Sequence, residues 1–151
     1  MAAAFPMSSS PSGGRKQTVS ETVLDASALL AYLNDEPGAA AVEQALTKGA
    51  YIGAANWAEV LSKVAESGGE PEVLIGELEA RGVLGQTLEV LPLLPEDGPA
   101  IARLRPSTKP FGLSLGDRAC LSLGLRLGLP VLTTDREWRK LILGVEVRVV
   151  R

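Results

Sequence analysis

A chain of 151 residues with 46% hydrophobic and 22% charged side chains can bury the core of one domain, which excludes disorder along its whole length. It has no histidine and one cysteine, Cys120, which excludes Ser-His-Asp and Cys-His triads, imidazole bases, His-built zinc sites, internal disulfides and Cys-cluster metal sites. The net charge of −3 conceals an asymmetry: residues 20–102 hold three Lys or Arg against fourteen Asp or Glu, and residues 103–151 hold ten against four.

In chain order, MAAAFPMSSSPSGGRKQTVS is Ser-, Gly-, Pro- and Ala-rich, and its basic pair follows the weak apolar stretch, the wrong order for secretion. Residues 1–21 read as a disordered leader or cloning remnant, and residues 22–151 as the folded domain. TVLDA is a short strand, SALLAYLN a helix, and Pro37-Gly38 a break before the helix AAAVEQAL. AYIGA is a second strand, followed by the amphipathic helix NWAEVLSKVAES, which Gly68-Gly69 stops. PEVLIGELEARG opens on proline and closes on Gly82, as helices often do. LEVLPL is a third strand and PEDGPAIARLR a helix. LSLGDRACLSLGLRLG is a longer helix, PVLTTD a strand, REWRKLIL a helix and VEVRVV a closing strand. Strands alternating with helices imply a parallel sheet covered on both faces, an α/β three-layer sandwich. No segment has the roughly eighteen consecutive apolar residues a membrane helix needs.

With histidine absent, chemistry must rest on carboxylates, hydroxyls, Lys/Arg or a bound cation. In a parallel sheet, ligands bind outside the carboxyl ends of the strands. Four acids fall at strand-to-helix junctions: Asp25 in TVLDAS, Glu59 in NWAEV, Asp117 in LSLGDRAC and Asp135 in LTTD. Each also has a helix-capping explanation: Asn56 to Glu59 and Ser114 to Asp117 have capping-box spacing, and Asp25 and Asp135 suit N-caps. Four carboxylates on one edge would repel one another, and a hard divalent cation is the simplest neutraliser. Oxygen-only ligands favour Mg²⁺ or Mn²⁺ over zinc.

The ordered set V-L-D-A-S-A-L-L, N-x-x-E-V, L-S-L-x-D-R-A-C-L and L-T-T-D-R-x-W resembles a PIN domain, and more narrowly a VapC-type toxin ribonuclease, over residues 22–151. The resemblance implies a PIN-like sandwich with Asp25, Glu59, Asp117 and Asp135 as the catalytic quartet. Asp25, Asp117 and Asp135 would hold metal, and Ser27, Asn56 and Thr133 would support the site. It also implies Mg²⁺-dependent RNA cleavage, dimerisation, inhibition by a VapB-like antitoxin and a cytoplasmic location, the last in keeping with the lone cysteine.

Arg118, Ser122 and Arg126 form a stripe at i, i+4 and i+8, which fits either a solvent-facing side or phosphate contact. Arg118, Arg136 and Arg139 are the candidates for gripping the RNA backbone, beside Lys140. Cys120, Trp57 and Trp138 read as packing residues, and Gly112 and Gly116 form no phosphate-binding loop. Two rival functions stay open. A non-catalytic PIN-like RNA- or protein-binding domain would be expected to lose acids. A Mg²⁺-dependent phosphotransfer module would want neighbouring acids or Asp-x-Asp where this chain has Asp25-Ala26-Ser27.

Overall fold

Each strand is a run of three or four mostly apolar residues, and the inner ones are apolar toward both faces, so the fold covers both. The computed structural model describes residues 20–151. The strands are β1 (Thr22–Leu24), β2 (Ala50–Gly53), β3 (Leu88–Leu91), β4 (Val131–Thr133) and β5 (Val147–Val149). They form one sheet in the order β3-β2-β1-β4-β5, every pair parallel. Along a strand alternate side chains point to opposite faces, so consecutive residues enter different cores. Leu24, Ile52 and Leu132 join one core, whereas their neighbours Val23, Tyr51 and Val131 pack in or against the other.

The first core is closed by α1 (Ala26–Leu33), α2 (Ala39–Lys48), α3 (Ala54–Glu66) and α4 (Pro71–Ala80), through Leu29, Leu33, Val42, Leu46, Val60, Leu74 and Leu78. The second lies under α5 (Asp97–Arg103), α6 (Arg105–Thr108), a 3-10 turn at Lys109–Phe111 and α7 (Leu115–Leu127). α7 presses closely on the sheet at Gly124. A Cβ there would stand 2.5 Å from Val131 Cγ2 and 3.1 Å from Val145 Cγ2, so only glycine permits the approach.

The α/β sandwich expected from strand-helix alternation is thus the fold observed. One element differs. The segment REWRKLIL is not an α-helix but a 3-10 helix at Arg136–Lys140 followed by extended chain. The reason is its apolar spacing: Leu141, Leu143, Val145 and Val147 all pack on the second core while Ile142 is 95% exposed. That alternation belongs to an extended chain. RPSTKPFG, to which periodicity assigns no element, forms α6 and the 3-10 turn. The leader reading lies outside the described residues except at its end. There Ser20 is buried and the Glu21 N–H donates to the Gly49 carbonyl at 3.0 Å, so these two belong to the fold. Among the described residues no helix is long and apolar enough to cross a membrane.

Candidate active site

The chain runs from β1 outward to β2 and β3, then crosses to the other side of β1 to make β4 and β5. The β1–β4 boundary is therefore where strand order reverses, the position at which parallel sheets open a crevice beyond their carboxyl ends. Asp25 follows β1 directly at that point, and β4 ends beside it at Thr133. The two meet: the Thr133 hydroxyl donates to Asp25 Oδ2 at 2.5 Å. The Ser27 hydroxyl donates to Oδ1 at 2.7 Å, and the Ala28 N–H donates to the same oxygen at 2.8 Å. Asp25 thereby caps α1, as its position after a strand suggests. Ser27 Oγ accepts from the Thr134 N–H at 3.0 Å and Thr133 Oγ1 from the Asp135 N–H at 3.1 Å, which ties the two chain ends together around one carboxylate.

Asp25 is only 4% exposed. Burial raises its pKa from 3.8 to about 6, against the lowering effect of the bonds from Thr133, Ser27 and Ala28; the negative charge of Asp117 adds to the rise. Glu59 is also raised, by burial and by Asp117, against the bond from Asn56. Asp117 thus acts on both of the other acids. The buried thiol of Cys120, one turn further along α7, is pushed up by burial first and then by Asp25, Asp117 and Glu59. Cys120 is a packing residue, as its place on an apolar helix suggests, and its environment reports the collected negative charge above it.

The capping-box readings divide. Ser114 and Asp117 make a complete box: the Asp117 N–H donates to Ser114 Oγ at 3.1 Å, and the Ser114 N–H donates to Asp117 Oδ2 at 2.9 Å. Asn56 and Glu59 do not, because α3 starts earlier, with Gly53 as its N-cap. Asn56 lies inside the helix, 1% exposed, and its Nδ2 donates to Glu59 Oε1 at 3.2 Å and to the Gly116 carbonyl at 3.0 Å. It therefore joins α3 to α7, a role that sequence spacing could not show. Asp135 is exposed and caps the 3-10 helix, accepting from the Glu137 N–H at 3.0 Å.

All four acids stand on the carboxyl edge of the sheet. Among the described residues, however, no three acids or cysteines approach closely enough to form a ready-made metal site. Each carboxylate engages a nearby amide or hydroxyl instead. The donor set still suits a hard cation, being all oxygen. Among the described residues, Asp117 Oδ1 and Glu59 Oε2 accept no hydrogen bond.

The polar stripe on α7 meets α5 and is covered only in part, Arg126 staying exposed. Arg118 Nη1 donates to the Ile101 carbonyl at 3.1 Å, Ser122 is buried, and Arg126 Nε stands 3.6 Å from Asp97 Oδ1. Arg136 and Arg139 are exposed, directly after Asp135, and Lys140 pairs with Glu137 at 3.1 Å. Trp138 is buried in the second core, and Trp57 packs against the first.

The Thr133 hydroxyl makes the shortest of the bonds to Asp25, so Thr133→Val should remove about 1.5–3 kcal/mol, as expected for a hydrogen bond to a charged group. Because the bond favours the ionised carboxylate, the deficit in urea unfolding should be larger at about pH 8 than at about pH 5. An equal deficit at both would mean that the hydroxyl serves mainly the Asp135 N–H.

A parallel five-stranded sandwich with a buried carboxylate at its switch point defines a class, and sequence comparison places the chain within it. The PIN-domain profile matches residues 22–142, and the chain belongs to the PIN-domain family. No curated protein matches. Among solved structures, the chain resembles one of a toxin–antitoxin complex from Klebsiella pneumoniae (TM-score 0.63, 18% identity, 82% of this chain and 94% of that one). It also resembles VapBC2 from Rickettsia felis bound to a promoter DNA fragment (0.64, 14% identity, 84% and 96%). A third is DNA-bound VapBC from Salmonella typhimurium (0.63, 18% identity, 86% and 98%). At such identities the likeness is one of fold.

Proposed function

We propose that the chain is a VapC-type toxin: a Mg²⁺-dependent endoribonuclease, held inactive by a cognate VapB-like antitoxin and acting as a homodimer. The observation that carries this reading is the buried Asp25 at the switch point, its carboxyl pushed up by burial first and by the charge of Asp117 besides. Capping explains each acid singly, but a carboxylate buried at that cost suits a cation-binding arrangement. The relatives of similar fold support the toxin reading, since their structures are of toxin–antitoxin and VapBC complexes.

Asp25, Asp117 and Asp135 would hold the cation, with Glu59 as a further ligand or as the group that orients the attacking water. A bound Mg²⁺ or Mn²⁺ supplies charge at the scissile phosphate and a water of lowered pKa. The chain's own part is positioning. Ser27, Thr133 and the Ala28 N–H fix both oxygens of Asp25; the capping box fixes Asp117; Asn56 holds Glu59. Hydrolysis joins the water oxygen to phosphorus as the bond to the 3′ oxygen breaks, leaving a 5′-phosphate and a 3′-hydroxyl. Arg136 and Arg139, exposed beside Asp135, are placed to meet RNA phosphates. Arg118, the third candidate, donates through Nη1 to the Ile101 carbonyl of α5.

The antitoxin follows from the same charge. A carboxylate-lined cleft suits an inserted Arg or Lys, which can pair with Asp25 and Asp117 in place of the cation. The dimer reading draws on the apolar surface beside the site, where Leu93, Leu94 and Leu115 are 54%, 43% and 65% exposed. The deciding experiment is an assay of purified, antitoxin-free protein on defined RNAs in Mg²⁺, Mn²⁺ or EDTA, with the product ends identified. Cleavage in either cation and none in EDTA is expected. Full activity in EDTA would reject the metal chemistry, and RNA binding without cleavage would favour the non-catalytic reading.

A further inference from the structure

Gly116 is the second residue of α7 and has an ordinary right-handed helical backbone, unlike the eight glycines of the described chain with positive φ. Its conformation therefore does not call for glycine, and helix propensity argues against one there. What calls for it is space. A Cβ at Gly116 would stand 2.7 Å from Glu59 Oε1, 3.0 Å from its Cδ and 3.2 Å from Oε2. The whole carboxylate of Glu59 lies over the face of the helix that a side chain would occupy. Asn56 closes the arrangement, with one amide group donating both to Glu59 Oε1 and to the Gly116 carbonyl. Asn56 is itself buried, so it cannot readily follow a displaced partner.

We propose that Gly116 is a positioning residue, whose missing side chain seats the Glu59 carboxylate against the first turn of α7, beside Asp117, with Asn56 as the latch. The functional consequence rests on the metal-ribonuclease reading; the seating itself does not. The plain alternative is that Gly116 is merely tolerated and that Glu59, a flexible side chain, swings aside without effect.

Gly116→Ala distinguishes the two, because alanine suits a helical backbone and should leave the melting temperature equal or slightly higher. The direct readout is the Asn56 side-chain amide in a ¹H–¹⁵N spectrum, which needs neither metal nor RNA. In Gly116→Ala its resonances should move to the positions they take in Glu59→Ala, because both variants break the same hydrogen bond. Unmoved resonances would overturn the proposal. The second readout is Mn²⁺ affinity by calorimetry, which should fall about tenfold or more, as it does when groups that orient a ligand are lost.

Coupling closes the test. In a Glu59→Ala background, Gly116→Ala should have no further effect on Mn²⁺ affinity or on the Asn56 amide, since the clashing group is gone. An undiminished effect there would assign Gly116 some other role and reject the seating. If the parent chain binds no Mn²⁺ while the Asn56 amide responds as described, the metal reading fails and the seating of Glu59 stands.

Discussion

Asp25→Asn should abolish RNA cleavage, by on the order of 10³-fold or more, while leaving the fold as stable as before or more so. The loss reflects several kcal/mol of transition-state charge stabilisation that a metal-holding carboxylate makes available, and each 1.4 kcal/mol is about tenfold in rate. The stability effect follows from the raised pKa. An acid that titrates at about 6 in the folded chain, against 3.8 ordinarily, binds a proton more readily folded than unfolded. Stability is therefore highest below the lower value and declines as pH rises through the upper one. At neutral pH the ionised carboxylate costs about 3 kcal/mol relative to its protonated form.

Asparagine carries no such charge, and it can still accept from the Ala28 N–H and cap α1. The variant should therefore lose the decline in stability between about pH 4 and 6, which denaturant unfolding across that range would measure. It gives up part of the gain, because the Ser27 and Thr133 hydroxyls lose charged acceptors. A destabilisation of several kcal/mol at neutral pH would mean that the carboxylate is there chiefly for α1.

Divalent cations should reverse the same term. If Asp25, Asp117 and Asp135 take Mg²⁺, a cation at one hundred times its dissociation constant should add about 2.7 kcal/mol to the unfolding free energy. It should also flatten the pH dependence of stability, because a nearby positive charge favours the ionised form of Asp25. Protons and metal then compete, so affinity should weaken about tenfold for each pH unit below 6 if one proton is displaced. Thermal unfolding at several Mg²⁺ concentrations and two pH values checks both points, with Asp25→Asn as the comparison that should respond little. A melting temperature indifferent to Mg²⁺ and Mn²⁺ at constant ionic strength would reject the cation site, whatever the RNA assay gave.

Much of the fold and of the site is legible in the order of residues alone. The alternation of short apolar runs with amphipathic segments is a local property of the chain, and it determines a covered parallel sheet because the inner strands are apolar toward both faces. The placement of Asp25, Glu59, Asp117 and Asp135 after strands or at helix starts is likewise local, as is the Ser114–Asp117 box, whose spacing is built into one turn of helix. The segment after Asp135 reads as a helix in sequence, but its apolar residues can be counted at either period. Only the second core, which takes Leu141, Leu143 and Val145 from one side, selects the extended form.

Fold class and the set of acids thus follow from local sequence, since periodicity and capping depend on neighbours within a few residues. What joins the acids to groups distant in sequence is settled only by tertiary contacts. The Thr133 bond to Asp25, the Asn56 bridge from α3 to α7 and the close approach of Gly116 to Glu59 join residues from different elements, so no spacing rule contains them. The same packing brings Arg118 against α5 and, among the described residues, leaves the acids on one edge without closing them into a ready-made metal site. Burial and charge repulsion depend on distances across the fold, and those exist only once the chain has folded.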